Sequence, residues 1–253
     1  MNRFLIFFFL FPLLVIAQNE PIDSIKIKTS LSLTGFYQGG NVQTLIFRAK
    51  GDLGFHVSNK IMFETENSYI YQAFDKEKAD EDFLSLNFLK YNSKSKIYPF
   101  LLGFVSTNYR RAIDLRYLFG GGITFQILND KKNKLKLSLS SEYENTQFSE
   151  TIFNYSEYNG QNSINTLRGT IWLKGKSFIF KDKLIFSHES YFQPSLEKNN
   201  NYRWQSDLSI EIPVIKILNF KINYRYAFEN IVIVNQKRYD DFLTFGFVLK
   251  NHE

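Results

Sequence analysis

The sequence predicts an all-β protein: a transmembrane antiparallel β-barrel of about twelve strands, preceded by a cleaved signal peptide. Three observations carry this prediction. Apolar and polar residues alternate with a period of two along most of the chain, the composition favours strands, and the first residues have the pattern of an export signal. Together they indicate one exported domain whose strands have two chemically different faces.

The alternation of apolar and polar residues is the dominant pattern. In the segment 25–37, Leu31 and Leu33 share one face of a strand, whereas Ser30 and Ser32 lie on the other. The same alternation recurs through the rest of the chain, and no helical period of comparable strength appears. Predicted strands therefore lie near 25–37, 41–57, 60–72, 82–91, 96–108, 115–128, 134–148, 163–174, 182–193, 201–213, 218–233 and 238–250.

The connections between these strands alternate in length. Transmembrane barrels have short periplasmic turns and longer outer loops. If the mature N-terminus is periplasmic, the even-numbered connections are periplasmic, and these are generally the shorter, lysine-bearing ones. Two longer segments, 73–81 and 149–162, are then predicted outer loops. A ligand-binding site on these loops is one alternative for the function.

The composition supports strands and restricts the class of protein. The chain has 27 phenylalanines and 15 tyrosines but only 5 prolines. It has no cysteine, so an exported protein of this sequence must hold together without disulfides. No later stretch approaches the ~20 apolar residues of a membrane helix. The formal net charge is +6, but the basic residues lie mostly in turns and at strand ends and form no single stripe. No nucleic-acid partner is therefore expected.

A soluble exported β-sandwich or lipocalin-like barrel is the alternative fold. Such folds bury the apolar face of each strand and expose the polar face, and about eight strands suffice for a lipocalin-like barrel. Twelve strands of the predicted length would enclose more volume than the apolar side chains could fill. The membrane barrel is therefore preferred, with its aromatic faces toward lipid and its polar faces toward the lumen.

Residues 1–17 have the pattern of a secretory signal peptide. Arg3 precedes an apolar run up to Ala17 that is too short to span a bilayer as a helix, and Val15 and Ala17 occupy the small-residue positions before a cleavage point. The prediction is a signal peptide at 1–17 and an outer-membrane β-barrel domain at 18–253. The protein is expected in the outer membrane of a Gram-negative envelope.

The polar faces of the predicted strands define a charged lumen with balanced signs. Such a lumen can pair its ions, whereas a one-signed lumen would indicate an ion-selective pore. The pattern favours a restricted, porin-like channel or a structural, stress-linked barrel, with the carboxylates at 64, 66, 142 and 144 paired to arginines. The residues assigned to this charge network are Arg48, Lys50, Glu64, Glu66, Arg116, Glu142, Glu144, Arg168, Arg203, Asp207, Glu211, Arg225 and Glu229.

A minority alternative is an outer-membrane lipid hydrolase built on His188 and Ser190. In outer-membrane phospholipase A, which the stretch resembles, the nucleophilic serine follows a histidine by two residues on the lipid-facing surface, and an asparagine orients the imidazole. By parity His188 and Ser190 face lipid, and Asn201 could supply the amide. However, "YFQP" rather than Asn-Gly follows the serine, and His56 and Ser58 have the same spacing by chance. We therefore expect no enzymatic activity.

Other short motifs are interpreted structurally. The glycines at 120–122 lie in a predicted strand without a following helix or a P-loop lysine, so their expected role is to let the strand bend or a bulky side chain approach the backbone. The three histidines are scattered, and the acidic segment 74–82 lacks the spacing and turn glycine of a calcium loop. No cofactor and no metal are expected.

Several stretches follow one another in an order typical of one family. They are "LSLTGFYQGGNVQT", "IDLRYLFGGGITFQI", "YFQPSLEKNNNYRWQSDLSIEI" and the last hairpin "INYRYAFENIVIVNQKRYDDFLTFGFVLK". In this order they resemble the YdiY-like proteins, described as salt-induced outer-membrane proteins within a domain-of-unknown-function family. The resemblance covers nearly all of the predicted mature chain. It implies an outer-membrane barrel and implies no particular chemistry.

The last predicted strand bears on how the protein is assembled. "TFGFVLKN" places Thr244, Gly246, Phe247 and Leu249 in the general arrangement of a barrel-assembly signal, although the terminal aromatic residue is missing. The expected partners are outer-membrane lipid, lipopolysaccharide and, during biogenesis, the barrel-assembly machinery. The chain is expected to act as a monomer.

Overall fold

The computed structural model describes residues 27–40, 43–180 and 183–251, which form one closed antiparallel β-barrel of twelve strands. Each strand pairs with its neighbours in sequence, and the first strand closes the wall by pairing with the last over seven residue pairs. The predicted fold class is confirmed. The predicted signal peptide, residues 1–17, lies outside the described residues.

The strands are 11 to 17 residues long, which is enough to cross a membrane at a tilt. In the described part of the chain, no helix has the length and apolar character needed to span a bilayer. The strands are β1 Lys28–Gln38, β2 Thr44–His56, β3 Ile61–Phe74, β4 Glu77–Tyr91, β5 Ile97–Asn108, β6 Ile113–Asn129, β7 Asn133–Phe148, β8 Ser163–Ile179, β9 Leu184–Pro194, β10 Tyr202–Ile215, β11 Leu218–Glu229 and β12 Tyr239–Asn251. A 3₁₀ turn, Ser156–Tyr158, lies between β7 and β8.

The up-and-down order of the strands gives the barrel two different ends. The start of β1, the end of β12 and the β2–β3, β4–β5, β6–β7, β8–β9 and β10–β11 turns lie at one end, here called the inner end. The remaining connections, including the longest one, between β7 and β8, lie at the outer end. In transmembrane barrels the end with the short turns faces the periplasm.

One outer connection is shorter than the sequence predicted. β3 and β4 are joined by a two-residue turn at Asp75 and Lys76, whose φ angles are 47° and 69°. Two successive positive φ angles match the turn that follows the twist of a hairpin. The prediction of a long outer loop at 73–81 is therefore wrong, because its charged residues continue the two strands beyond the apolar zone.

A second difference concerns the end of β11. The predicted strand ran to residue 233, but β11 ends at Glu229. The chain then leaves the wall, and Phe153 of the β7–β8 loop forms an isolated antiparallel bridge with Ile233. Apolar residues that looked like the end of a strand instead pack over the outer mouth of the barrel.

The outer surface of the barrel is apolar. Soluble monomers rarely expose contiguous apolar patches larger than a few hundred square ångströms. Here the exposed large side chains encircle the wall, so the surface requires lipid and the soluble alternative is excluded. They include Leu31, Leu33, Leu45, Phe47, Phe83, Leu89, Leu101, Val105, Phe119, Ile123, Leu139, Tyr143, Leu167, Ile171, Phe192, Leu208, Ile210, Ile222, Tyr224, Leu243, Phe245 and Phe247.

The interior is less uniformly polar than the sequence indicated. The inward faces of β4 and β5 are apolar and form a buried cluster of Leu86, Phe88, Phe100 and Leu102. Trp172 from β8 packs against it, with its ring centre 5.4 Å from that of Phe88. In β4 apolar side chains point inward while Ser85 and Asn87 point outward, and β5 is apolar on both faces, so alternation alone could not assign the inner side of these strands.

The glycines of β6 are required by close packing between neighbouring strands. A Cβ atom on Gly120 would lie 2.1 Å from the carbonyl oxygen of Ser141 and 2.9 Å from Cγ of Glu142. A Cβ atom on Gly122 would lie 2.1 Å from the carbonyl oxygen of Leu139. The steric interpretation of this glycine run therefore agrees with the structure.

We expect Gly122→Ala to destabilise the barrel by ~1–3 kcal/mol, since the added methyl group overlaps the backbone of β7. Gly51→Ala is the matched control, because a Cβ atom on Gly51 meets nothing within 4 Å. The measurement is urea unfolding of refolded protein, followed by the mobility difference between unboiled and boiled samples on a gel. Equal midpoints for the two variants would contradict the steric account.

Candidate functional site

The pairing of the strands determines which charged side chains face each other inside the barrel. Cross-strand register places Arg203 opposite Glu229, Asp207 opposite Arg225 and Lys174 opposite Glu189. The structure places all thirteen residues of the predicted charge network on inward-facing positions, as shown by contacts across the lumen or by their place on the walls of internal cavities. The ion pairs among them divide into three levels along the barrel.

The outer level is centred on Glu144, whose side chain is 1% exposed. Arg168 donates to both of its oxygens, from Nε at 2.8 Å and from Nη2 at 2.9 Å. Arg203 donates a further bond from Nη2 at 2.5 Å. Arg116 lies at 4.0 Å. A buried carboxylate with this many charge-assisted bonds is held in one geometry, and the side chains that hold it fill the lumen.

The outer level continues as a chain of ion pairs. Arg116 donates from Nη1 and Nη2 to the two oxygens of Glu229, both at 2.8 Å. Arg111 binds Asp240 at 2.7 Å, and Arg110 lies 3.1 Å from the same carboxylate. Arg110 also reaches Asp80, at 2.9 Å.

Sequence reasoning missed four residues of this series of ion pairs: Asp80, Arg110, Arg111 and Asp240. Both arginines lie in the short connection between β5 and β6, where strand parity gives no direction for a side chain. The adjacent pair "RR" in an outer connection was the only available signal.

The middle level crosses the lumen. Asp207 on β10 accepts bonds from Arg48 of β2 at 3.1 Å and from Arg225 of β11 at 3.0 Å. Asn223 donates to Asp207 at 2.7 Å and accepts a bond from Arg48. Since β1, β12 and β11 separate β2 from β10 along the wall, Arg48 bridges the interior rather than pairing with a neighbouring strand.

The inner level uses lysines in place of arginines. Glu66 accepts bonds from Lys50 at 2.9 Å and from Lys174 at 2.5 Å. Lys174 also lies 3.2 Å from Glu189. Two further lysines that the prediction omitted, Lys90 and Lys250, pair with Glu64 and Glu211. Lys174 was also absent from the predicted network. Lys174 and Lys250 are the last residues of their predicted strands, where alternation is the weakest guide to the direction of a side chain.

The expected pairing with arginine is wrong for three of the four carboxylates: Glu64 and Glu66 pair with lysines, and the third exception is Glu142. It is fully buried and faces Arg168 in the β7–β8 register, but Arg168 turns toward Glu144 instead. Glu142 accepts a 2.7 Å bond from the hydroxyl of Thr170, and among the described residues it has no ion pair. The expectation that this carboxylate pairs with an arginine is wrong, because Glu144 already holds the guanidinium.

A cap of loops covers the outer end. It consists of the β7–β8 loop, residues 149–162, and the β11–β12 loop, residues 230–238. Phe153 and Tyr158 pack in a buried cluster with side chains that include Ile231 and Ile233. The two loops also exchange backbone and side-chain hydrogen bonds. Burial raises the pKa of Tyr158 to about 12, so its hydroxyl stays protonated.

The free space inside the barrel narrows toward this cap. A cavity of about 570 Å³ occupies the inner part of the lumen. A cavity of about 80 Å³ lies above it, and the outer level holds one of about 90 Å³ beside Arg110 and Arg111 and one of about 10 Å³ beneath Ile231 of the cap. The lumen therefore consists of a wide chamber at the inner end, which ion pairs and then the cap obstruct toward the outer end.

The candidate hydrolase residues do not form a triad. Ser190 is hydrogen-bonded to Ser206 at 2.9 Å, and the imidazole of His188 lies over Gly175. Asn201 is buried inside the barrel, where its side-chain oxygen accepts a 2.9 Å bond from Arg168. The expected role of Asn201 is wrong, because the wall of the barrel separates it from the outward-facing histidine.

Comparisons with known proteins agree with the barrel geometry. Residues 31–250 match a family described as "Protein of unknown function, DUF481". A comparison with curated proteins gives no significant match. The solved structure of the NanC porin is similar, with a TM-score of 0.53 and 7% sequence identity, over 88% of this chain and 100% of that chain. At this identity the likeness shows the fold alone, that of an outer-membrane β-barrel.

A second solved structure is less similar. The translocator domain of the autotransporter NalP from Neisseria meningitidis has a TM-score of 0.41 and 11% identity, over 88% of this chain and 86% of that chain.

We expect Glu144→Gln to lower the free energy of unfolding by ~3–5 kcal/mol, since it leaves buried guanidinium groups without their counter-charge. Glu150→Gln is the control, because it makes the same chemical change at an exposed residue of the cap loop. Urea unfolding of both variants in the same detergent measures the difference. A shift no larger for Glu144→Gln than for the control would show that the outer ion-pair network does not hold the barrel.

Proposed function

We propose that this chain, which belongs to the DUF481 family of proteins of unknown function, is an outer-membrane barrel whose lumen is a narrow channel, closed at its outer end in the conformation described. The observation that carries the proposal is the shape of the lumen. A chamber of about 570 Å³ at the inner end leads to a zone crossed by ion pairs and ends beneath a cap made of loops.

The apolar belt around the wall supports the membrane location. Exposed leucine, isoleucine and phenylalanine side chains on an outer surface would aggregate in water but are favourable in hydrocarbon. The neighbours that follow from this location are lipid and lipopolysaccharide, with the assembly machinery during biogenesis. We propose that the chain is a monomer in the membrane.

The nature of the obstruction favours a channel over a filled, purely structural barrel. The cap consists of loops that do not belong to the ladder of the wall, so it can open without breaking strand pairing. The free-energy cost of opening is then set by the apolar packing and the hydrogen bonds between the two loops, not by the strands of the wall. The ion-pair levels are polar and adjoin water-sized space, so they line a path when the side chains rearrange.

A structural barrel is the second candidate, and one observation favours it. Arg48 on β2 crosses the lumen to pair with Asp207 on β10, so the ion pair connects two distant strands of the wall. Under this alternative the cap and the ion pairs never open, and the protein does not conduct.

A lipid hydrolase finds less support. Its serine is bonded to another serine and its asparagine lies inside the barrel. We expect no release of fatty acid from phospholipid with calcium present.

The cap can be locked to test the channel. Phe153 and Ile233 face each other in an antiparallel bridge, a separation that suits a disulfide, and the chain has no cysteine of its own. In planar bilayers we expect the double variant Phe153→Cys/Ile233→Cys to give few conductance steps when oxidised and frequent small steps after reduction. Each single substitution is a control that should not respond to the reductant.

Identical conductance before and after reduction would show that the cap is not the gate. Absence of steps in every state of a folded sample would favour the structural barrel over the channel.

The YdiY-like relationship and the salt induction that it implies stay predictions. We expect the transcript of this chain to rise severalfold after a shift of its native host to high sodium chloride, as measured against an unrelated outer-membrane transcript. An unchanged ratio would remove the salt-induced description while leaving the barrel and its lumen as described.

A further inference from the structure

The inner chamber carries more positive than negative side chains. Nine lysines and six carboxylates lie on its walls. Each of the six carboxylates already lies within ion-pair distance of a lysine or an arginine. The lysines that have no carboxylate at this distance among the described residues are Lys28, Lys134, Lys136, Lys176 and Lys221.

Four of the lysines are brought together by strand register. Lys134 lies directly opposite Lys176, and Lys136 lies directly opposite Lys174, on the inward faces of β7 and β8. We call these four the lysine quartet. Directly opposed residues have Cβ atoms ~4.5–5.5 Å apart, and like charges in this arrangement repel. Of the four, only Lys174 has carboxylate partners, so most of this repulsion is not compensated within the described residues.

The other contacts of the quartet are weak. Nζ of Lys136 lies 3.3 Å from the hydroxyl of Tyr98, and Nζ of Lys176 lies 4.9 Å from the ring centre of Phe178. The same chamber is lined by Trp172, whose buried indole N–H has no hydrogen-bond partner among the described residues. An indole N–H is a donor only, so Trp172 adds one hydrogen-bond donor to the lysines that line the chamber.

We propose that the lysine quartet binds a small anion that carries two or more carboxylate or phosphate groups. The inference deepens the proposed function, because it names the class of solute that enters the lumen from the inner end. A multivalent anion can span opposed lysine pairs and replace their repulsion with charge-assisted hydrogen bonds, the stronger kind in proteins.

The shape of the chamber restricts the anion to a small one. Its volume of about 570 Å³ lies in the range of small-molecule sites, and the strand walls enclose it on its sides. A folded protein or a duplex nucleic acid does not fit. Phe88 and Phe100 on the same wall offer apolar contact for the carbon skeleton of an organic anion.

The binding test uses refolded protein in a zwitterionic detergent at constant ionic strength, because added salt screens surface charges. The probes are citrate and pyrophosphate, with acetate as the monovalent control. Calorimetry gives the affinity, and the fluorescence of Trp172 reports on the chamber, since the other tryptophan, Trp204, is on the lipid face. A Trp172→Phe variant identifies the share of the signal that comes from the chamber.

The decisive comparison is between two double variants that remove the same charge. Lys136→Gln/Lys176→Gln removes one member of each opposed pair, whereas Lys131→Gln/Lys132→Gln removes two exposed lysines from the β6–β7 turn at the same end. We expect saturable binding of citrate or pyrophosphate that weakens by about tenfold or more in the first variant, as the loss of charge-assisted bonds requires, and stays nearly unchanged in the second.

The outcomes separate the site from the channel. Equal weakening in both double variants, or no saturable binding by the parent protein, overturns the anion site. Preference for citrate or for pyrophosphate decides between carboxylate and phosphate recognition. Binding in detergent does not depend on conduction, so a protein that binds citrate but gives no conductance steps keeps the site and loses the channel. A protein that conducts but binds neither citrate nor pyrophosphate keeps the channel and loses the anion site.

Discussion

The closed wall imposes one constraint on everything inside it: a charged side chain that points inward must find a partner or remain in water. Strand alternation sends every second residue into the lumen, and many of these residues are ionised. Glu144 shows the consequence most clearly, because it is almost fully buried and surrounded by Arg116, Arg168 and Arg203. Removing one partner of such a cluster costs far more than the cluster contributes to stability.

The two kinds of basic residue divide the lumen into two regions. Arginines occupy the outer and middle levels, and at the outer level their planar guanidinium groups hold Glu144 and Glu229 by paired bonds. Lysines line the inner chamber, where their strongly hydrated ammonium groups adjoin free space. An obstructed outer part and an open inner part therefore follow from the choice of basic residue, and the cap of loops adds a second closure above the arginines.

Alternation was sufficient to predict the number of strands, most of their bounds and the inward side of the thirteen charged residues, because period two determines the direction of a side chain in a strand. It failed where that rule gives no answer. Arg110 and Arg111 lie in a connection, β4 has apolar side chains inward, and β5 is apolar on both faces. The bridge from Arg48 to Asp207 joins strands far apart in the wall, and no local pattern predicts such a contact. Likewise the apolar residues Ile231 and Ile233 were predicted to continue strand β11, but they pack in the cap over the outer end of the barrel.

The central claim is that the lumen is open at the inner end and closed at the outer end. The most direct test places a single cysteine at Ser138, on the wall of the inner chamber, in a chain that has no other. Labelling by a membrane-impermeant thiol reagent is measured from each side of liposomes, with single cysteines at Lys131 and Glu150 marking the inner and outer sides. We predict that the Ser138 position is labelled from the side of Lys131 alone. Labelling at a similar rate from the side of Glu150 would contradict the account.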